Sequence, residues 1–220
     1  MMIDKKANTL ITRDILDNAI SYTQYREMID KLLAENKTTG TDHSEGMVAY
    51  TRMNMQRMRR VEKTTVLQDE LVQKMLSLQT PMVWVVLTEA WCGDAAQNIP
   101  AIVKIADASP VVEVKLLLRD EHPAIMDAYL TNGGRSIPKL IALHAETLEV
   151  LGTWGPRPAA AQELVMQAKE NNMPFQEMAE KLHGWYGKDR SRTLQQEFVQ
   201  LIPEWGMLVA PEEQLVERCS

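Results

Sequence analysis

The sequence predicts an α/β fold in which a mixed sheet of about four strands is flanked by helices in three layers. Residues 82–87 form a short unbroken apolar run, which is typical of a strand buried on both faces. Strand and helix patterns alternate between residues 81 and 171. Residues 138–143 and 148–153 are two strand patterns joined by a link of hairpin length. The first two strands are therefore expected to pair parallel, and the last two antiparallel.

The composition describes an ordinary globular chain. The 220 residues carry a net charge of -6, which argues against nucleic acid and anionic membrane as partners, because both reward clustered cations. The length suits one domain, or one domain with a sizeable extension. No apolar run approaches the ~18 residues of a membrane span. The N-terminus lacks the apolar stretch of a secretory signal, so we expect a cytoplasmic, reducing location.

Residues 1–80 are predicted to form an N-terminal helical extension. Apolar residues within 22–33 recur at three- and four-residue spacing, and Gly40 ends that segment. A second helix is expected after Ser44, and a third over residues 67–78. The second helix has a Met-rich apolar side and an opposite basic side, which we interpret as core-facing and solvated. The basic side consists of Arg52, Arg59, Arg60 and Lys63.

Residues 81–171 are predicted to form the sheet-containing domain. After the first strand, its expected elements are a helix through 99–106, a strand over 111–118, a helix over 123–130, the hairpin strands, and a helix opened by Pro158. Proline suits the first helical position, where its missing N–H has no consequence. Helical spacing returns in residues 172–220, so this part is predicted to be a C-terminal helical segment.

Cys92 stands where the buried strand ends and the next helix begins. A helix N-terminus presents unpaired N–H groups and a partial positive charge, which favour the thiolate, the nucleophilic form of cysteine. Its position makes Cys92 a candidate nucleophile, with a buried structural cysteine as the alternative. Cys219 lies in a polar tail, where it could resolve Cys92 or be an incidental exposed thiol.

The residues around Cys92 resemble those of the thioredoxin family. Trp91-Cys92-Gly93 follows a hydrophobic strand, Arg135-Ser136-Ile137-Pro138 opens a later strand, and Gly155 comes after it. The resemblance covers about residues 80–171. Within the superfamily, the chain is similar to bacterial thioredoxin-like proteins that have a helical N-terminal region and a Trp-Cys-Gly-Asp motif. The resemblance implies a thioredoxin-like fold with N-terminal and C-terminal helical extensions.

The resemblance also implies roles for the motif residues. Cys92 would be the attacking cysteine, and the bond between Ile137 and Pro138 would be cis. Because proline lacks an N–H, the backbone of Ile137 would stay free to pair with an extended substrate chain. A plain proline at a strand start is the alternative for Pro138. The supporting residues of the candidate site are Trp91, Gly93, Asp94, Ile137 and Pro138.

Three positions depart from the family pattern. Ala95 stands where a resolving cysteine is usual, so no dithiol cycle can run within the motif. Val86 stands where many thioredoxins have a buried acid. Asp94 replaces the common proline, and its charge opposes a thiolate about as strongly as the helix terminus favours one (~0.3–1 kcal/mol), so the direction of the pKa shift stays open. Glu89 and Asp94 could carry protons, although solvated loop acids are commoner.

We predict a monothiol thiol-disulfide oxidoreductase in which Cys92 forms mixed disulfides that an external thiol releases. Its partners would be a protein disulfide and a low-molecular-weight thiol. The alternative is a non-catalytic binding module that uses the groove beside Pro138, so enzymatic activity stays open. The scattered histidines and the lack of a glycine-rich phosphate loop predict no metal and no cofactor. Residues 1–80 could pack on the sheet or form a homodimer.

Overall fold

The computed structural model describes residues 10–207. Its sheet has four strands in the order β2-β1-β3-β4. The strands are β1 (Met82–Thr88), β2 (Val112–Leu118), β3 (Lys139–His144) and β4 (Val150–Trp154). β1 pairs parallel to β2 and antiparallel to β3, and β3 pairs antiparallel to β4. The α/β class, the mixed sheet and the predicted pairing are confirmed.

Helices precede, flank and follow the sheet. They are α1 (Arg13–Asn18), α2 (Tyr22–Ala34), α3 (Glu45–Thr64), α4 (Asp69–Ser77), α5 (Gly93–Ala106), α6 (Pro123–Ala128), α7 (Ala159–Glu170), α8 (Phe175–Asp189) and α9 (Arg192–Met207). The three helices expected before the sheet correspond to α2, α3 and α4, while the short α1 was not predicted. No helix of the described part of the chain is long and apolar enough to cross a membrane.

Two helix boundaries differ from the prediction. Pro158 is the N-cap of α7 and not its first helical residue. α2 ends before Gly40, because Asn36 takes a left-handed conformation with φ 53°. The N–H of Lys37 donates to the carbonyl of Leu32 at 2.8 Å, and that of Asn36 to the carbonyl of Leu33 at 3.2 Å. This pair of bonds is a Schellman motif, which closes the helix end.

The aromatic core lies between the sheet and α9. β1 is buried along its whole length, as its unbroken apolar pattern predicts. Trp84 lies edge-on to Phe198 and Trp205 of α9, with ring centroids 5.4 and 5.7 Å away. A Cβ on Gly152 of β4 would lie 2.0 Å from Nε1 of Trp205, so α9 can approach the sheet only over a glycine.

The helices before the sheet pack against it. The Tyr25 hydroxyl of α2 lies 3.3 Å from Oγ1 of Thr88 at the end of β1. Just before α2, Ile20 forms an antiparallel bridge to Leu116 of β2. In α3, the amide of Asn54 donates to the carbonyl of Ala90 at 2.9 Å, beside the start of α5. The N-terminal helices therefore help to position the strand end that carries the candidate motif.

Candidate active site

Cys92 is the N-cap residue of α5. Its Sγ accepts a hydrogen bond from the backbone N–H of Ala95 at 3.4 Å and donates one to the carbonyl of Ile137 at 3.2 Å. The bond between Ile137 and Pro138 is cis, as expected. The structure thus brings Cys92 into contact with the segment before β3, which is far from Cys92 in the sequence.

A nucleophile at a strand-to-helix junction is expected to present its sulfur to solvent, and this expectation is wrong for Cys92. Cys92 is only 8% exposed and Ile137 5%, and Pro138 is buried as well. Burial and, to a lesser extent, the charge of Asp94 raise the pKa of the Cys92 thiol to about 12. The backbone N–H groups of Ala95 and Asp94 lower it by a smaller amount. The direction of the pKa shift of Cys92, which the sequence left open, is therefore upward. The thiol is protonated at neutral pH.

Asp94 is a buried ion-pair partner and not a solvated acid, contrary to the expectation. Its Oδ2 lies 2.7 Å from Nη2 of Arg157, which follows β4. Its Oδ1 accepts a hydrogen bond from the Tyr186 hydroxyl of α8 at 2.8 Å. The Tyr186 oxygen in turn accepts one from the Asn98 amide at 3.0 Å. Burial raises the pKa of Asp94, while Arg157 and Tyr186 act to lower it.

Gly93 lies directly beneath α8. A Cβ at this position would lie 2.8 Å from Cε1 of His183 and 3.5 Å from Nη1 of Arg57 in α3. Nδ1 of His183 is within hydrogen-bond distance of the Gln97 amide, at 3.1 Å. Burial and the charges of Arg57 and Arg60 lower the pKa of His183 to about 4, so the ring is neutral at pH 7. Glycine is the residue that lets this imidazole approach.

Four side chains lie over the first turn of α5, and we call them the cover: Arg57, Arg157, His183 and Tyr186. None of these four residues was predicted from the sequence to belong to the site. The turn dipeptide Gly155-Pro156 directly precedes Arg157, and it is the sequence feature that could have drawn attention to this position. His183 and Tyr186 are three residues apart and therefore lie on one helix face. This spacing predicts that both side chains contact the same neighbour, but it does not identify that neighbour.

Trp91 is a partly exposed residue of the motif, as is Gly93. The guanidinium of Arg119 lies 4.7 Å from the centroid of its ring, a cation–π contact. Arg119 also pairs with Asp120, its Nη2 2.8 Å from Oδ1. The indole therefore forms the accessible rim beside the buried sulfur.

Glu89 is also buried, so the expectation of a solvated acid is wrong here too. It is 0% exposed, and its Oε1 accepts a hydrogen bond from the backbone N–H of Asp120 at 3.0 Å. Its Oε2 has no partner among the described residues. Burial raises the pKa of this carboxyl. Glu89 thus places a second acid near the motif, although the hydrogen bond of its carboxyl is to Asp120 and not to Cys92.

Residues 10–207 contain no group of three or more His, Cys, Asp or Glu side chains that could hold a metal ion. Cys92 is a free thiol. Cys219, the other candidate thiol, lies outside the described residues.

A protein-family model described as thioredoxin matches residues 40–170. The chain belongs to the thioredoxin family. The matched segment contains α3, α4, the whole sheet and the helices α5 to α7. α8, which contributes His183 and Tyr186 to the cover, follows the matched segment. Half of the cover of this thioredoxin-family site is therefore supplied from outside the matched segment.

Two solved structures share the fold. One is an uncharacterised protein from Pseudomonas aeruginosa, with a TM-score of 0.52 and 16% identity. The other is an HIV epitope scaffold for 4E10, with a TM-score of 0.51 and 16% identity. Each alignment covers 84% of this chain and 98% of the other. No curated protein matches this chain. At this identity the likeness shows the shared fold alone.

Proposed function

We propose that this thioredoxin-family protein carries out monothiol thiol-disulfide exchange through Cys92. The observation that supports the proposal is the position of Sγ at the N-cap of α5, between the Ala95 N–H and the Ile137 carbonyl. An N–H group directed at sulfur stabilises the negative charge of a thiolate, and the helix terminus adds to that stabilisation. The Ile137 carbonyl accepts a hydrogen bond from the thiol in its protonated form.

The exchange has two balanced steps. The Cys92 thiolate attacks one sulfur of a substrate disulfide, the substrate S–S bond breaks, and the second sulfur leaves as a thiolate. An external thiolate, from a low-molecular-weight thiol or another protein, then attacks the substrate sulfur and releases Cys92 as a thiolate. Ala95 cannot perform the second step, because it has no sulfur.

The described state is a closed resting state. Burial raises the pKa of Cys92 to about 12, so the thiol stays protonated at pH 7. Burial is the largest cause of that high pKa, so exposure of the sulfur would leave the N–H groups and Arg157 with a greater relative effect. Exchange therefore requires that the sulfur become exposed, and in this proposal movement of the cover away from the first turn of α5 exposes it.

The burial and raised pKa of Cys92 favour a second candidate, a binding module without turnover. In this case the buried thiol is a structural hydrogen-bond donor to Ile137. The groove beside Pro138 would then take a partner chain without covalent chemistry.

Alkylation of Cys92 across a pH series separates the two candidates. The measurement uses Cys219→Ser protein, with and without Tyr186→Phe, which removes the hydroxyl that donates to Asp94 at 2.8 Å. Exchange predicts at least tenfold faster alkylation in the Tyr186→Phe protein, and formation of a Cys92 mixed disulfide with oxidised glutathione. Tyr22→Phe is the matched control, because it removes a hydroxyl that donates to Glu62 at 2.6 Å, away from the site.

A well-folded Tyr186→Phe protein whose Cys92 still titrates near 12 and forms no mixed disulfide would exclude exchange and support the binding module. If Tyr22→Phe accelerated alkylation of Cys92 equally, general loosening of the fold, and not movement of the cover, would govern access to the sulfur.

A further inference from the structure

A groove of about 500 Å³ lies between the start of β3, the end of β4 and the helix α9. This volume falls within the range of small-molecule sites, about 300–1,000 Å³. Residues that line it include Thr131, Lys139, Trp154, Pro156, Gln162 and Leu201. Lys139 directly follows Pro138, so the groove begins next to the candidate active site, and Arg157 of the cover also lines it.

Lys139 is a buried cation without a carboxylate partner. It is 8% exposed, and Nζ has one hydrogen bond, a long one of 3.4 Å to Oγ1 of Thr131. No carboxylate of the described residues lies within ion-pair distance of it. An ammonium group has three donors, and its burial is costly unless a charge or several acceptors compensate. Burial lowers the pKa of Lys139 for the same reason.

The other charged side chains of the groove already have partners. Arg157 pairs with Asp94 at 2.7 Å. Glu197 accepts hydrogen bonds from the indole N–H of Trp154 and from the backbone N–H of Ala159, both at 2.6 Å. Since Arg157 is paired with Asp94, the cation that remains available to a ligand in the groove is the ammonium of Lys139.

The rest of the groove suits an apolar group. Trp154, Pro156 and Leu201 contribute to its wall. Sites for small organic ligands usually combine apolar walls with a few polar or charged groups that fix the orientation of the ligand.

We propose that this groove binds a small carboxylate with an apolar body, whose carboxylate bonds to Nζ of Lys139. The inference does not depend on exchange by Cys92, because none of the groove contacts involves the sulfur. Carboxylate binding in the groove and exchange by Cys92 can therefore be refuted independently of each other.

The test is an NMR titration of the full chain with hexanoate, followed at the indole N–H of Trp154. We expect saturable shifts at Trp154 with hexanoate, and at least tenfold weaker binding of hexanol and inorganic phosphate. Lys139→Met should weaken hexanoate binding at least tenfold, and Lys139→Arg should retain most of it. Lys104→Met is the matched control, because this partly buried lysine bonds the carbonyl of Thr65 at 2.6 Å outside the groove.

Three results would overturn the proposal. They are an absence of shifts with hexanoate, hexanol binding as tight as that of hexanoate, and phosphate binding as tight as that of hexanoate. The comparison of ligands on the unmodified chain decides the matter even if Lys139→Met fails to fold. Repeating the titration with Cys92→Ser protein, in which exchange is impossible, keeps this result separate from the proposed activity.

Discussion

Two layers cover the sheet and its first crossover helix, and different interactions hold them. Over Trp84, α9 contributes the rings of Phe198 and Trp205, so this contact is apolar. Over the first turn of α5, which follows Cys92, the cover is held by hydrogen bonds and by the ion pair between Asp94 and Arg157.

The different interactions that hold the two layers predict which layer can move. Apolar burial is non-directional and adds up over many atoms, so the aromatic layer contributes to global stability. A buried polar network depends on each partner being in place, since loss of one leaves another unsatisfied. The aromatic layer should therefore govern unfolding, and the cover should govern access to the sulfur.

The largest effect is expected from Phe198→Ala in the aromatic layer. Phe198 is completely buried among the rings of Trp84, Trp154 and Trp205, so its truncation leaves a cavity. We expect a loss of about 3–5 kcal/mol in the free energy of unfolding, measured by urea denaturation. Phe175→Ala is the control, because Phe175 is 71% exposed and should change stability little. Equal losses in both variants would contradict the assignment of α9 to the core.

The next effect is expected from Arg157→Met in the cover. This change leaves the buried Asp94 carboxylate without its cation, which costs about 3 kcal/mol at neutral pH. The pKa of Asp94 is already raised by burial, so its protonation at lower pH removes the unpaired charge and should shrink the loss. Urea denaturation at several pH values measures both trends.

The control for Arg157→Met is Arg135→Met, since the pair between Arg135 and Asp127 is about half exposed. We expect a change below about 1 kcal/mol for it. A loss for Arg157→Met that stays constant with pH would show that the charge of Asp94 is not its cause.

The smallest effect concerns His183. Its pKa is lowered to about 4, so the unfolded chain binds the proton between about pH 6.5 and 4 while the folded chain does not. Stability should therefore fall as pH decreases through this window, by on the order of 1 kcal/mol after solvent screening at the partly exposed ring. The groups that face the ring are Arg57, Arg60 and Gln97.

His183→Gln should lose this pH dependence, and His122→Gln, a histidine at the N-cap of α6, should keep it. Denaturation curves across the window measure the difference. Identical pH profiles for the unmodified chain and His183→Gln would argue against a neutral buried imidazole over Gly93.

The sequence predicted what depends on local pattern. An unbroken apolar run marks β1, because both faces of that strand are buried. The Trp-Cys-Gly and Ser-Ile-Pro motifs predicted that Cys92 and Pro138 would belong to one site, and the hydrogen bond from Sγ to Ile137 agrees with that.

The burial of the site could not be predicted, because it depends on contacts between distant segments. The bond that joins Tyr186 to Asp94 spans 92 positions, and no local pattern encodes it. Asp94 read alone is a solvated first-turn acid, since its partners Arg157 and Tyr186 come from other elements. Glu89 directly follows a buried strand. Its position in the sequence does not indicate which backbone N–H will donate a hydrogen bond to its carboxyl group.

The bridge between Ile20 and Leu116 has a consequence for association between molecules. Ile20 exchanges two backbone hydrogen bonds with Leu116, at 3.1 and 2.8 Å, on the outer side of β2. The chain thus occupies part of one edge of its own sheet, which keeps another molecule from adding a strand there. At the opposite edge, β4 pairs within the described residues only with β3. Intermolecular strand addition, if this protein undergoes it, is therefore directed to β4.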